Sequence, residues 1–244
     1  MKNILLIGGT GDAVQINKEL CGWKDVTLVT SLAGRTLNPT ALIGEVLLQG
    51  FTDHGGLDQF LRHRKIDLVI DASHPFAAGM SIKAFEICGS QKVPLIRYDR
   101  KPWENEGRDW MEVNDLSEAA SRLTQFDRIF LTVGRQELQS FSGLRDKFFL
   151  VRSIEDIEFE PARSVVQHIR SRGPFSVEDE IALMTNNNID VIVSKNSGGE
   201  ATYAKIAAAQ SLSIPVIMVK RPPLQAAKVV HDLRSLYSEV RLSF

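Results

Sequence analysis

The chain carries one pattern twice, and that repetition limits what it can fold into. Asp67-Leu-Val-Ile-Asp71 is an apolar run of strand length that opens onto a polar knot, Ala72-Ser73-His74-Pro75-Phe76-Ala77, and then onto a helical pattern. Asp190-Val-Ile-Val-Ser-Lys195 opens in the same way onto Asn196-Ser197-Gly198-Gly199 and an Ala-rich helical pattern. Each copy is followed by a second apolar run led by a proline, Val93-Pro94-Leu-Ile-Arg97 and Ile214-Pro215-Val-Ile-Met218. Each then closes on Arg and Pro, Arg100 with Pro102 and Arg221 with Pro222. The interval is roughly 120 residues throughout, about half of a 244-residue chain. Strands alternating with helices predict the α/β class, here two parallel-sheet domains related by internal duplication. The boundaries expected from the pattern are residues 1–103 for the first domain, 104–127 for a charged linker with a connecting helix, and 128–244 for the second domain.

Composition narrows the function. An apolar content of 43% with 24% charged residues provides for sizeable cores, and a net charge of −1 supplies no field to attract a polyanion. Nucleic acid and membrane surfaces are therefore set aside as partners. The N-terminal apolar run turns to glycine too early for a signal-peptide core, and no run approaches membrane-spanning length, so a cytoplasmic protein is expected. Cys21 and Cys88 are isolated and read as small buried hydrophobes, and no cluster of metal ligands is visible.

In the first half, Ile4-Leu-Leu-Ile7 reads as a strand buried on both faces. It runs into Gly8-Gly9-Thr10-Gly11-Asp12 and a helix from Ala13 to Leu20. Strand, glycine turn and helix are the unit that aims backbone N–H groups and a helix dipole at phosphate. Gly9, Thr10 and Gly11 are the candidate contacts, although Val14 stands where the dinucleotide fingerprint has a third glycine. The alternative is a tight turn that binds nothing. After the next strand, Val26-Thr-Leu-Val29, an NAD site usually carries Asp or Glu. This chain has Thr30-Ser31 and then Arg35, which favours NADPH, with NADH as the other candidate; Arg35 on a solvated loop is the alternative. Ser73 and His74 fall at the carboxyl end of the Asp67 strand, where ligands lie in open parallel sheets. His74 titrates near neutral pH and could donate a proton or bind a carboxylate; capping the next helix is its alternative role.

The second half opens with Ile129-Phe-Leu131-Thr-Val133-Gly134-Arg135. Its turn has one glycine where the first has three, and an arginine crowds it, so this copy has lost the nucleotide and holds an anion by side chain. Arg135, Arg152, Arg172 and Lys195 fall at or near strand C-termini and predict a cationic edge. Lys195 and Ser197 are expected at the places that Asp71 and Ser73 hold in the first half. The layout predicts a reductase, with a nucleotide on one half and an anionic acceptor on the other, facing across a cleft.

Several motifs together resemble the precorrin-6A reductase family of cobalamin biosynthesis, including its cobalt-precorrin form. They are Gly8-Gly-Thr10, Ser31-Leu-Ala-Gly34-Arg35, Asp71-Ala-Ser-His-Pro-Phe-Ala77, Arg97 with Pro102-Trp103, Thr132-Val-Gly-Arg135, Arg172-Gly-Pro-Phe175 and Ser194-Lys-Asn-Ser-Gly-Gly199 with Ala204-Lys205. The resemblance implies two Rossmann-like domains and NAD(P)H-dependent reduction of one double bond of a corrin-precursor macrocycle. It implies cofactor contacts at Gly9, Thr10, Gly11, Ser31, Gly34 and Arg35. Ser73 and His74 would sit near the reacting centre, and Arg135, Lys195 and Ser197 would face the substrate's carboxylates. An anionic tetrapyrrole-derived molecule is the implied substrate, and neighbouring enzymes of the corrin pathway are further implied partners. The turn Gly50 to Gly56 departs from the family's shorter form. His74 is the candidate proton donor, with water or a substrate carboxyl as the others. Two other classes fit the bare pattern, a nucleotide-sugar-dependent glycosyltransferase-like enzyme and a non-catalytic two-lobed binding protein.

Overall fold

The structure is a computed structural model that describes residues 1–32, 41–105, 110–225 and 228–244. It contains two compact units, one of residues 1–101 with 222–244 and one of residues 102–221.

The first unit is built on β1 (Lys2–Ile7), β2 (Val26–Ser31), β3 (Glu45–Leu47), β4 (Leu68–Asp71) and β5 (Leu95–Tyr98), with helices α1 (Gly11–Leu20), α2 (Leu57–His63) and α3 (Ala78–Gln91). The second has β6 (Trp110–Val113), α4 (Leu116–Arg122), β7 (Arg128–Thr132), β8 (Phe148–Ser153), β9 (Val165–Arg170), α5 (Val177–Asn186), β10 (Val191–Lys195), α6 (Ala204–Ser211) and β11 (Val216–Val219). The chain then returns to the first unit with β12 (Lys228–Val230) and α7 (Leu233–Leu242).

Both sheets are six-stranded and every strand pairing is parallel. Their orders are β12-β5-β4-β1-β2-β3 and β6-β11-β10-β7-β8-β9. The expected α/β class and the duplicated parallel sheets are thus present, and five strands of each sheet correspond in order. The central strands are largely apolar because both faces are covered. Along β1, Ile4 and Leu6 pack with Ile16 and Leu20 of α1 and Leu236 of α7, while Leu5 and Ile7 pack with Phe60 of α2 and Ala84 of α3.

The expected boundaries fail at the sixth strand of each sheet. The stretch expected as a linker with a connecting helix, residues 104–127, does hold that helix as α4, but it also contains β6, which pairs with β11. Residues 228–230, expected within the second domain, form β12, which pairs with β5 of the first sheet. Each unit therefore receives its edge strand and following helix from beyond the other half. Edge strands need only one ladder and one buried face, so three or four residues suffice and charge is tolerated. In β6 only Trp110 and Val113 are buried, and no clear apolar run betrays it. The repeat that does betray the exchange is Val113-Asn-Asp115-Leu against Val230-His-Asp232-Leu. Asp115 caps α4 by accepting from Glu118 N at 2.8 Å, and Asp232 caps α7 by accepting from Ser235 N at 2.8 Å.

Asp67 and Asp190 repeat for a structural reason. The carboxylate of Asp67 accepts the backbone N–H of Asn3 at 2.8 Å, and that of Asp190 accepts those of Asp127 and Arg128 at 2.9 and 3.1 Å. Each aspartate thereby satisfies backbone donors at the amino end of the neighbouring central strand.

Candidate functional site

In the first sheet the chain direction of strand addition reverses between β1 and β4, and ligands of open α/β sheets bind outside such a point. Gly8 ends β1 in tight quarters, since a Cβ there would lie 3.3 Å from Leu32 Cδ2 and 3.4 Å from Ala13 Cβ. It supplies the close strand–helix packing that the fingerprint assigns to a later glycine. Gly9 has φ +112°, a conformation open to glycine, and a Cβ on Gly11 would meet nothing within 4 Å. Among the described residues, nothing stands within 4 Å of a Cβ at either position at the amino end of α1.

Thr10 spends its hydroxyl on the scaffold. Oγ1 donates to Ala72 O at 2.9 Å and accepts from Ala13 N at 3.1 Å, which caps α1 and fastens the turn to the end of β4. Ser31 is buried and its carbonyl accepts Gly8 N–H at 2.9 Å, so β2 also positions the turn. Gly34 and Arg35 lie outside the described residues. Buried Asn17 fixes the segment that follows them, bonding both backbone groups of Ile43 at 2.8 and 2.9 Å.

Ser73 is buried within an ion-pair network. Its N–H donates to Asp71 Oδ1 at 3.0 Å, and its hydroxyl accepts from Arg97 Nη1 at 3.0 Å. Arg97 Nη1 also lies 2.7 Å from Asp71 Oδ2 and 2.9 Å from Ser81 Oγ. His74 is half-buried, and its Nδ1 accepts Phe76 N–H at 3.2 Å, so a neutral imidazole carries its proton on Nε2. Thr10, Asp12, Tyr98, Asp99 and Arg100 lie together beside Ser73. Arg100 Nη1 bonds Asp12 Oδ2 there at 2.7 Å. Burial, with Asp12 adding to it, pushes the Tyr98 phenol up to about 12, so it stays protonated at neutral pH. Sequence reasoning passed over the Asp71–Arg97 and Asp12–Arg100 pairs. For Asp71–Arg97 the available signal was a charge at or next to the end of each of two otherwise apolar strands, since buried charges must be paired.

The cysteines are chemically quiet. Burial, helped by the Asp71 charge, pushes the Cys88 thiol up to about 12, and burial also raises Cys21, which works against thiolate chemistry at neutral pH.

In the second unit the turn after β7 is filled from within. Glu137 accepts Gly134 N–H at 2.6 Å and Lys195 Nζ at 2.6 and 2.8 Å. A carboxylate of the chain itself thus occupies the backbone donor that this turn would offer an anion. Arg152 pairs with buried Glu180, its guanidinium 3.8 Å from the centre of the Phe175 ring. Arg135 is exposed and lines a pocket of about 310 Å³ together with Asp156 and Glu158. Two of the four basic residues of the expected cationic edge, Arg152 and Lys195, are therefore paired with acids.

Ser197 is buried, and its carbonyl accepts from Arg221 Nη2 at 2.9 Å. Neighbouring Asn196 bonds the backbone of Trp103 at both ends, at 2.8 and 2.9 Å. Sheet register also corrects the alignment of the two halves. Asp71 pairs with Arg97 in the first sheet and Ser194 with Met218 in the second, so Ser194, and not Lys195, holds the place of Asp71. Counting by the strand ends slips by one residue, whereas the ladder does not. Among the described residues there is no group of three His, Cys, Asp or Glu side chains placed for a metal, and no helix long and apolar enough to cross a membrane.

Two duplicated parallel sheets, with a glycine-rich turn on one and a turn closed by its own carboxylate on the other, define an α/β protein of two diverged halves. Comparisons with known proteins agree on what kind. The family model described as Precorrin-6x reductase CbiJ/CobK matches residues 3–241, and the chain belongs to that family. Precorrin-6A reductase of Rhodococcus erythropolis is 41% identical over 236 residues, covering 95% of this chain and 94% of the relative. Cobalt-precorrin-6A reductase of Methanocaldococcus jannaschii is 28% identical over 242 residues, 96% of each. A solved structure of CobK precorrin-6A reductase superposes with a TM-score of 0.91 at 34% identity, covering all of this chain and 97% of that one. The resemblance read from the motifs holds, and neither the glycosyltransferase-like nor the binding-protein reading finds support.

Proposed function

We infer that this protein reduces a double bond of precorrin-6A, or of its cobalt form, in cobalamin biosynthesis, with NADPH as hydride donor. Membership of the reductase family over nearly the whole chain carries the reaction class. The glycine-rich turn at Gly9 and Gly11, against the carboxylate-filled turn at Gly134, supports nucleotide binding on the first unit.

The residues present fit a dinucleotide. Gly8 allows close packing, Gly9 takes the left-handed conformation, Gly11 adds no side chain in front of α1, and no carboxylate follows Ser31 to repel a 2′-phosphate. Gly9, Thr10, Gly11 and Ser31 would hold the cofactor together with Gly34 and Arg35. Bound nicotinamide supplies the hydride. The chain's share is to orient the acceptor, exclude water and provide a proton at the neighbouring carbon. His74 is the candidate proton donor through Nε2, with Ser73 fixing its turn. Arg135, Lys195 and Ser197 serve the macrocycle's carboxylates, with Glu137 restraining the lysine until substrate competes for it.

Titration with NADPH and NADH tests the cofactor half. The wild type binds NADPH more tightly than NADH, and Arg35→Ala loses that preference; absence of binding to either nucleotide would contradict the reading. For the proton donor, His74→Ala lowers kcat about 100-fold or more at saturating substrate, whereas an unchanged kcat assigns the proton to water or substrate.

A further inference from the structure

The duplicated fold contains an internal control for one of its own buried charges. Asp71 and Arg97 are register partners at the carboxyl ends of β4 and β5, with relative exposures of 1% and 3%. The same position of the second sheet is held by Ser194 and Met218, with no ion pair and the same parallel ladder. A sheet of this topology therefore does not require the pair. Burying two charges is costly, and well-packed uncharged replacements are often neutral or stabilising. The cost is not fully met here. Nε and Nη2 of Arg97 have no hydrogen-bond partner among the described residues, and Nη2 approaches Asp99 Oδ1 no closer than 3.7 Å. A buried charge pair that the fold does not require calls for another role.

The explanation lies in what the pair grips. Asp71 takes the N–H of Ser73 and Arg97 takes its hydroxyl, so both handles of that residue are fixed from one ion pair. Arg97 also holds Ser81 of α3 at 2.9 Å, and Ser81 Oγ lies 3.3 Å from Ser73 Oγ. The turn from β4 into α3, which carries His74, is thereby clamped from β4, β5 and α3 together. Arg97 and Ser81, at 3% exposure each, are shielded from solvent.

We propose that the Asp71–Arg97 pair is a positioning device for the reaction, retained on the first unit to hold the Ser73–His74 turn in its productive place. This rests on the reductase reading and on the role of His74 in it. The second unit, whose equivalent turn carries Asn196 and Ser197, holds that turn through Arg221 and Trp103 and has dispensed with the pair.

The test grafts the second unit's residues onto the first. Asp71→Ser/Arg97→Met is compared with wild type for thermal unfolding and for kcat and KM with precorrin-6A and NADPH. The expected result is a fold that melts within about 5 °C of wild type, KM within about threefold, and kcat lower by about 100-fold, the cost of a misplacement near 1 Å. A folded double variant with kcat within about threefold of wild type would overturn the inference. If the double variant does not fold, Ser81→Ala decides. It loosens the clamp from α3 and leaves the pair in place; a kcat about tenfold lower at unchanged KM and melting supports the device, and an unchanged kcat removes it. Failure of the wild type to reduce precorrin-6A would instead remove the reductase reading itself.

Discussion

Lys195 is held by Glu137 through Nζ at 2.6 and 2.8 Å, and the same carboxylate accepts the N–H of Gly134. The lysine is a restrained cation, able to exchange one carboxylate for another. Lys195→Ala is expected to raise KM for the macrocycle about tenfold with kcat within about twofold. Glu137→Gln keeps an acceptor for Gly134 and releases the lysine, so KM falls. Steady-state kinetics on both variants check this, and a KM unmoved by either would take Lys195 out of substrate binding.

Asn196 serves the scaffold. Its amide mimics a strand partner for Trp103, accepting from Trp103 N and donating to Trp103 O, and it is buried. Replacing it by alanine leaves two backbone groups unpaired, which costs about 2 to 4 kcal/mol. Urea unfolding of Asn196→Ala is the measurement, with the loss expected in the second unit's transition.

The exchanged edge strands make the C-terminus part of the first unit. Val230, Leu236 and Val240 belong to the core that holds Ile4, Ile96 and Tyr98. A chain ending at Arg221 therefore loses β12 and α7 and uncovers that face. Limited proteolysis of the truncated protein is expected to digest residues 1–101 quickly and spare residues 102–221.

Asp232, the cap of α7, is held below its usual carboxylate range, chiefly by the backbone N–H of Ser235 and then by its hydroxyl. A carboxyl lowered by folding stabilises the native state above its unfolded pKa, and that stability is lost as pH falls through the folded value. Asp232→Asn can still accept from the backbone but does not titrate, so its melting temperature should fall less than wild type between neutral pH and the acid range. Equal slopes would show that other carboxylates govern the acid limb.

How much of this was legible follows from where the signals lie. Central strands such as Ile4 to Ile7 and Val191 to Val193 are buried on both faces and announce themselves as apolar runs. The edge strands β6 and β12 bury one or two side chains each and look like charged linker and helix. Of the site, the glycine turn and the Ser73–His74 turn were readable because strand ends are fixed by period. The partners of the charged residues were not, since Arg97 with Asp71 and Lys195 with Glu137 are 26 and 58 positions apart and meet only when strands order themselves. A basic residue at a strand end reads as a ligand until its acid is found.

The most direct test of the account is the reaction itself. Purified protein is mixed with NADPH and precorrin-6A, in metal-free and cobalt-loaded forms, and both nicotinamide oxidation and product mass are followed. The proposed reduction requires one NADPH oxidised for each macrocycle that gains two hydrogens, in at least one of the two forms. No NADPH oxidation with either form, or oxidation without a change in macrocycle mass, would contradict it.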